Sequence, residues 1–227
     1  MPETTRRRIP YDHLADQYDA MFTRPRDQAE NREVARRIRK LGASGTVLDL
    51  GCGTGFFLEL IAKDPSEYVG IDISAAMLAK ARLKYPEHAF DIGDMSQLSY
   101  EADSFDFVVA LWSFSYTTNP ERAANEVRRV LKPGGKFFAI VYADWGPVSP
   151  LPYEDWPSYH PVTRSMFSAA DIYSLFRCLN DRRVTGLSAK AVPDAISARF
   201  MPLETRLIGR LFPDACRYLM FSGSKCA

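Results

Sequence analysis

The chain has 227 residues, of which 46% are hydrophobic and 25% charged, and a formal net charge of +1. This length suits one full domain with a sizeable core, and the near balance of charge exerts no global pull toward nucleic acid or an anionic membrane. No run approaches the roughly 20 apolar residues that span a bilayer. Arg6, Arg7 and Arg8 lead into no apolar stretch, which reads against a secretory signal. Cys52, Cys178, Cys216 and Cys226 form no C-x-x-C pair, so reduced thiols and a cytoplasmic location are expected, with neither zinc nor another metal.

Taken in order, Tyr11, Leu14, Tyr18, Met21 and Phe22 recur at helical spacing and predict a short amphipathic helix. A second helix, from about Asp27 to Leu41, carries Val34, Ile38 and Leu41 inside and Arg32, Arg36, Arg37, Arg39 and Lys40 outside. Those cations read as a solvated face gathered toward a helix C-terminus rather than as a nucleic-acid surface. The chain then alternates. Strands are predicted at Thr46–Leu50, Tyr68–Ile71, His88–Ile92, Ser104–Leu111 and Lys136–Tyr142, with helices at Phe56–Ala62, from Ser74 to about Tyr85, and from Pro120 through Val130. Lys132-Pro133-Gly134-Gly135 reads as a stop and tight turn. Residues 143–167 are rich in proline and aromatics. A helix capped by Ser168 follows, then a strand at Val184–Val192, a helix at Leu203–Leu211 and a strand at Arg217–Ser222. The expectation is an α/β fold, a doubly wound, seven-stranded sheet, mostly parallel with an antiparallel last strand and helices on both faces. One domain is expected over 1–227: lid helices in 1–42, a core in 43–142, an aromatic segment in 143–167 and closing strands and helices in 168–227.

The central stretch is Val47-Leu48-Asp49-Leu50-Gly51-Cys52-Gly53-Thr54-Gly55, a buried strand running into a glycine turn. Glycines let a ligand approach the backbone closely. Asp49 selects the ligand, because a carboxylate at this strand end repels a diphosphate and attracts an ammonium or sulfonium group. Two further acids end the next two strands. Asp72 lies at the distance where a carboxylate reaches ribose hydroxyls, and Asp94, after Gly93, is placed to accept from an adenine amino group. Met95 can present its N–H to the base, and Ile73 and Met77 can wall it. A nicotinamide reading needs a third glycine at position 56, which is Phe56.

The segments Val47–Gly55, Gly70–Asp72, Gly93–Asp94, Phe105–Leu111 and Leu131–Gly135 resemble the ordered motifs of class I S-adenosylmethionine-dependent methyltransferases, of the small-molecule, ubiquinone/menaquinone-methyltransferase-like type. The resemblance covers roughly residues 10–142 and implies a Rossmann-like sheet and S-adenosylmethionine as cofactor, with S-adenosylhomocysteine as product. It places the methionine part at Asp49 and the backbone around Gly51, Cys52 and Gly53, the ribose at Asp72 and the adenine amine at Asp94. Tyr11 and Tyr18 match an N-terminal Tyr-Asp-x-x-Ala-x-x-Tyr-Asp element that lies over the cofactor.

Methyl transfer is an in-line displacement in which the enzyme mainly positions a nucleophile in a site of limited water. A base is needed only if that nucleophile must lose a proton. His13 sits in the lid and His88 at a strand start, so His160 is the candidate base, and Tyr116 the candidate that orients an acceptor. Leu111 and Trp112 end the fourth strand beside the expected methyl position. The exit Ala110-Leu111-Trp112-Ser113-Phe114-Ser115-Tyr116 lacks the Asn/Asp-Pro-Pro-Tyr/Phe signature of many nucleobase and glutamine methyltransferases. The expected acceptor is therefore a small molecule methylated at oxygen or nitrogen in preference to carbon, held by Trp112, Tyr116, Trp145, Trp156 and Tyr159. No nucleic-acid or membrane partner is expected, and the state is a monomer or homodimer. The competing readings are a non-catalytic S-adenosylmethionine-binding regulator and, behind it, a nicotinamide-dependent oxidoreductase.

Overall fold

The computed structural model describes residues 11–61, 64, 67–144, 166–189, 194–211, 213 and 216–226. Among them, seven strands form one sheet: β1 (Val47–Leu50), β2 (Tyr68–Asp72), β3 (Ala89–Ile92), β4 (Phe105–Leu111), β5 (Leu131–Tyr142), β6 (Leu179–Ala189) and β7 (Cys216–Lys225). Their order is β3-β2-β1-β4-β5-β7-β6. The pairings among β1–β5 are parallel, and β7 is antiparallel to both β5 and β6. Only β7 therefore runs against the rest, as the expected fold class requires. The chain winds outward from β1 to β3 and then returns to β4 on the other side of β1. That reversal opens a crevice at the C-terminal ends of β1 and β4.

The helices are α1 (Pro25–Leu41), α2 (Leu58–Ile61), α3 (Ala75–Lys84), α4 (Pro120–Val130), α5 (Ala169–Leu175) and α6 (Asp194–Leu211). They cover both faces because the central strands are apolar on both. In β5, Phe137, Ala139 and Val141 pack with Val127 of α4 and Ile172 of α5, while Phe138 and Ile140 pack with Val34 and Ile38 of α1 and Met201 of α6. Successive strand residues point to opposite faces, so one strand feeds two cores. Phe176 stacks on Phe221 at 4.9 Å and lies 5.4 Å from Phe114. Phe114 is fully buried and anchors a 3-10 turn at Phe114–Tyr116, which leaves Tyr116 facing the crevice side of the loop.

Several boundaries differ from expectation. The predicted helix at Tyr11–Phe22 is instead two 3-10 turns, Asp12–Leu14 and Asp19–Met21, whose backbone bonds all span three residues, as from Leu14 N to Tyr11 O (3.0 Å) and from Met21 N to Tyr18 O (3.1 Å). Tight turns suit a segment held by its side chains rather than by its own backbone ladder. α2 begins at Leu58, two residues later than expected. The predicted turn at 132–135 is a bulge inside one long strand: Leu131 pairs with Phe105 and Lys136 with Phe107, and Gly134 between them takes φ +77°. β6 starts five residues early, at Leu179, because β7 continues to Lys225 and supplies it a partner. α6 starts at Asp194 rather than Leu203 and bends at Phe200, just before Pro202, whose ring cannot fit a straight helix interior.

Candidate functional site

The site begins with a missing side chain. In the parallel register Asp49 faces Gly70, and Tyr68 faces Val47 one step earlier on the same side of the sheet. A Cβ on Gly70 would stand 2.8 Å from Cys52 Sγ and 2.9 Å from the Tyr68 hydroxyl. Because glycine leaves that space open, the Tyr68 ring leans over position 70 and donates its O–H to Asp49 Oδ2 at 2.9 Å. Both side chains are buried, Asp49 being 3% exposed. Burial lifts the Tyr68 phenol well above its usual range, so it stays a neutral donor. Burial also pushes Asp49 up to about 7; the Tyr68 hydrogen bond counters part of that, and the neighbouring Asp72 adds to it.

The glycine turn follows. Gly51 and Gly53 take φ +70° and +56°, which L side chains adopt at a cost. A Cβ on Gly51 would lie 2.4 Å from Ser113 Cβ, and Ser113 Oγ donates to the Leu50 carbonyl, which ties the ends of β1 and β4 together. Asp72 closes the turn. Its Oδ2 accepts from Gly53 N at 2.9 Å and its Oδ1 from Ser74 N at 2.8 Å. Burial raises the Asp72 pKa while these backbone donors lower it. Ile73 N–H adds a third backbone donor, and a carboxylate has about four lone-pair sites. Cys52 is buried with its thiol pushed up, mainly by burial, so it forms a neutral wall and not a nucleophile.

The N-terminal turns lie over this loop and are fastened by acids. Asp12 accepts from Ser74 Oγ at 2.6 Å, Asp19 from Thr54 Oγ1 at 2.5 Å and from Lys84 Nζ at 2.6 Å, and Asp16 pairs with Lys80. The Tyr18 ring comes within 4.0 Å of where a Gly53 Cβ would be. Burial first, then the nearby Tyr116, Asp72, Asp19 and Asp49, raise the Tyr18 phenol.

Beside the acids, aromatic rings form a closed circuit. On one side it runs from Tyr11 to Tyr18 (6.2 Å between centroids), Phe22 (5.1 Å), Phe56 (5.1 Å), Phe57 (4.9 Å) and Trp112 (5.2 Å, stacked). It returns from Trp112 through Tyr218 (5.8 Å), Tyr142 (5.4 Å) and Tyr116 (6.0 Å) to Tyr11 (5.4 Å). Trp112 takes φ +58° at the end of β4, a strained backbone for a bulky residue and a frequent mark of a functional position.

The structure therefore gathers Asp49, Gly51, Cys52, Gly53, Asp72, Tyr11, Tyr18, Trp112 and Tyr116 at one sheet edge. Leu111 is buried beneath them, and Met95 Cε lies 3.6 Å from a Cβ placed on Gly51. Asp94 is exposed, with Oδ1 held by Ser96 N at 2.8 Å, and Gly93 leaves room for Ile71 Cδ1, which a Cβ would meet at 2.7 Å. Ile73 is 47% exposed, whereas Met77 is buried against Leu14 and Ala15 of the lid. Trp145, Trp156, Tyr159 and His160 lie outside the described residues. The sequence reading overlooked Tyr68, Ser113, Thr54, Tyr142, Tyr218 and the acids Asp12 and Asp19. The two acids are the aspartates of the lid motif itself, so that motif held the signal for them.

Residues 48–139 match the family described as "Methyltransferase domain". A phosphatidylethanolamine N-methyltransferase of Cereibacter sphaeroides is 32% identical over 140 residues, which cover 58% of this chain and 67% of that protein. A demethylmenaquinone methyltransferase of Streptomyces avermitilis is 27% identical over 170 residues, covering 72% of this chain and 73% of that one. Of two bifunctional biotin biosynthesis proteins BioHC, 33% and 34% identical, the chain spans only 20% and 18% of the length. A Thermotoga maritima structure described as a possible histamine N-methyltransferase shares the fold, with a TM-score of 0.69 at 18% identity, covering 95% of this chain and 97% of that one. The chain belongs to the S-adenosylmethionine-dependent methyltransferases.

The residues present fit that cofactor. Asp72 raises the cost of ionising the buried Asp49, so a cationic ligand beside this carboxylate is favoured, and Gly51 and Gly53 present backbone without side chains at the same turn. When bound, S-adenosylmethionine supplies a methyl group already activated on a sulfonium.

Proposed function

We propose that this chain transfers the methyl group of S-adenosylmethionine to a small, partly apolar acceptor, at oxygen or nitrogen in preference to carbon. The observation that carries the reading is the pairing of a buried carboxylate, Asp49, and a half-buried one, Asp72, with a closed aromatic circuit at the same sheet edge. Asp72 accepts from ribose hydroxyls through its remaining lone-pair capacity, and Asp49 faces the cationic end of the cofactor. Asp94 and Met95 take the adenine edge. Tyr18 and Tyr11 cover the cofactor, and Trp112 and Tyr116 hold the acceptor and exclude water. The Tyr116 hydroxyl lies 3.4 Å from that of Tyr142, so one phenol of this pair can orient an acceptor heteroatom while the other orients the first. The names of two relatives, acting on phosphatidylethanolamine and demethylmenaquinone, support an acceptor with an apolar body.

The test combines calorimetry with transfer of a labelled methyl group. Titration with S-adenosylmethionine and S-adenosylhomocysteine should give saturable binding, and NAD none. Label from S-adenosylmethionine should then appear in a member of a panel of amines, phenols and hydroxylated lipids. NAD binding without response to the other two would overturn the cofactor; cofactor binding without transfer would make the chain a regulator.

A further inference from the structure

The outer face of α6 takes no part in anything described above. The inner face of this helix is fixed: Met201, Glu204 and Thr205 are buried, and Gly209 meets β6 so closely that a Cβ there would stand 2.1 Å from the Gly186 carbonyl oxygen. The opposite face carries Ile196, Phe200, Leu203, Leu207 and Leu211, each between 49% and 67% exposed. Among the described residues these are five of the ten large hydrophobic side chains left exposed, and the other five are scattered over β3, α3, α5 and loops. After the bend at Phe200, Leu203, Leu207 and Leu211 recur at steps of four and form one row, about 12 Å long at 1.5 Å per residue, and Ile196 and Phe200 add exposed apolar surface before and at the bend. Scattered exposed apolar residues need no explanation, whereas five gathered on one element do.

Three cations flank the row. Arg199, Arg206 and Arg210 are exposed, and the Arg199 guanidinium lies 5.6 Å from the centre of the Phe200 ring. Glu204 points inward, so the described side chains on the outer face carry positive charge only. We propose that this face of α6 seats the protein on an anionic lipid surface, with the apolar row entering the interface and the arginines meeting lipid phosphates. An amphipathic helix with apolar residues on one side and arginines beside them is the physical form of such a contact, and guanidinium matches phosphate geometry. Among the described residues no helix is long and apolar enough to cross a membrane, and lying on one requires neither property.

The alternatives fit less well. An antiparallel two-fold pairing of this face with a second copy would place arginines against arginines, with no acid between them among the described side chains. A groove on an acidic protein would have to match both the row and the bend at Phe200, whereas a fluid surface conforms to a convex, bent ridge.

Flotation of the full chain with vesicles tests this. Vesicles of phosphatidylcholine and phosphatidylglycerol in equal parts should carry the protein upward, vesicles of phosphatidylcholine alone should not, and added salt should release it. The triple variant Arg199→Glu, Arg206→Glu, Arg210→Glu should lower partition by roughly a hundredfold or more. Leu203→Glu with Leu207→Glu should reduce it to background. Unchanged thermal unfolding midpoints for both variants would show that the fold is intact. Absence of flotation with anionic vesicles overturns the proposal, as does a dimer in light scattering that Leu207→Glu dissociates while vesicles bind nothing. Binding of an acidic amphipathic peptide in place of vesicles would assign the face to a protein partner and overturn it equally.

Discussion

Asp72 does two jobs with one carboxylate. It fixes the glycine turn through Gly53 N and caps the approach to α3 through Ser74 N, and it keeps lone-pair capacity for a ligand. Asp72→Ala should weaken S-adenosylhomocysteine binding by about 1–3 kcal/mol, the usual cost of leaving polar groups unpaired, as read by calorimetry; unchanged affinity would remove Asp72 from the site. Asp49 is legible in the sequence because an apolar run followed by glycines announces the strand end, and Asp72 because it closes the next apolar run about 20 residues beyond those glycines. Tyr68 is not, since a tyrosine starting a buried strand reads as core, and only the register that sets Gly70 opposite Asp49 reveals its reach. The rings of Phe56, Phe57, Tyr142 and Tyr218 are silent for the same reason: their partners lie on elements far apart in sequence.

At the level of elements, the lid is a clasp rather than a packed helix. Its own acids grip Thr54 of the glycine loop, Ser74 at the start of α3 and Lys84 within it. Asp19→Ala removes the bonds to Thr54 and Lys84 together. It should speed cofactor dissociation by an amount equivalent to about 1–3 kcal/mol, with the hydrogen bond to Thr54 as the larger part and the exposed ion pair the smaller. Stopped-flow release of S-adenosylhomocysteine measures this, and an unaltered rate would detach the lid from cofactor retention. Periodicity located this lid but mistook its geometry, because apolar residues three apart serve a 3-10 turn and an α-helix equally well. The expected helix at Leu203–Leu211 is the later part of α6, which continues back across a bend at Phe200 to Asp194.

For the molecule as a whole, the site opposes the fold electrostatically. Asp49, raised to about 7 by burial, and Asp72, raised in the same direction, bind protons more tightly when folded than when unfolded. The folded state is then favoured most below the unfolded value near 4. That advantage fades as pH rises toward 7, with a slope on the order of 1 kcal/mol per pH unit for one such group. The ligand-free protein should accordingly lose thermal stability between pH 5 and pH 7.5, and Asp49→Asn should flatten the trend; a rise in stability over that range would contradict the burial assigned to Asp49. Cofactor should restore the loss by holding the carboxylates ionised. The sheet that imposes this arrangement was the most legible part of the chain. Its alternation of strand and helix follows from local pattern, whereas the order β5-β7-β6 depends on pairings that no local pattern encodes.

The contact of Tyr68 with Asp49 across Gly70 has a consequence for how this sequence can change. Position 70 is empty because position 68 overflows into it, so the two behave as a single letter in an evolutionary alphabet. Alanine at 70 alone would evict the phenol and strand a buried acid, and a small residue at 68 alone would leave a hole beside that acid. Only both changes together keep the wall filled, and that route passes through no intact intermediate. Drift at either position is thereby blocked by the residue at the other.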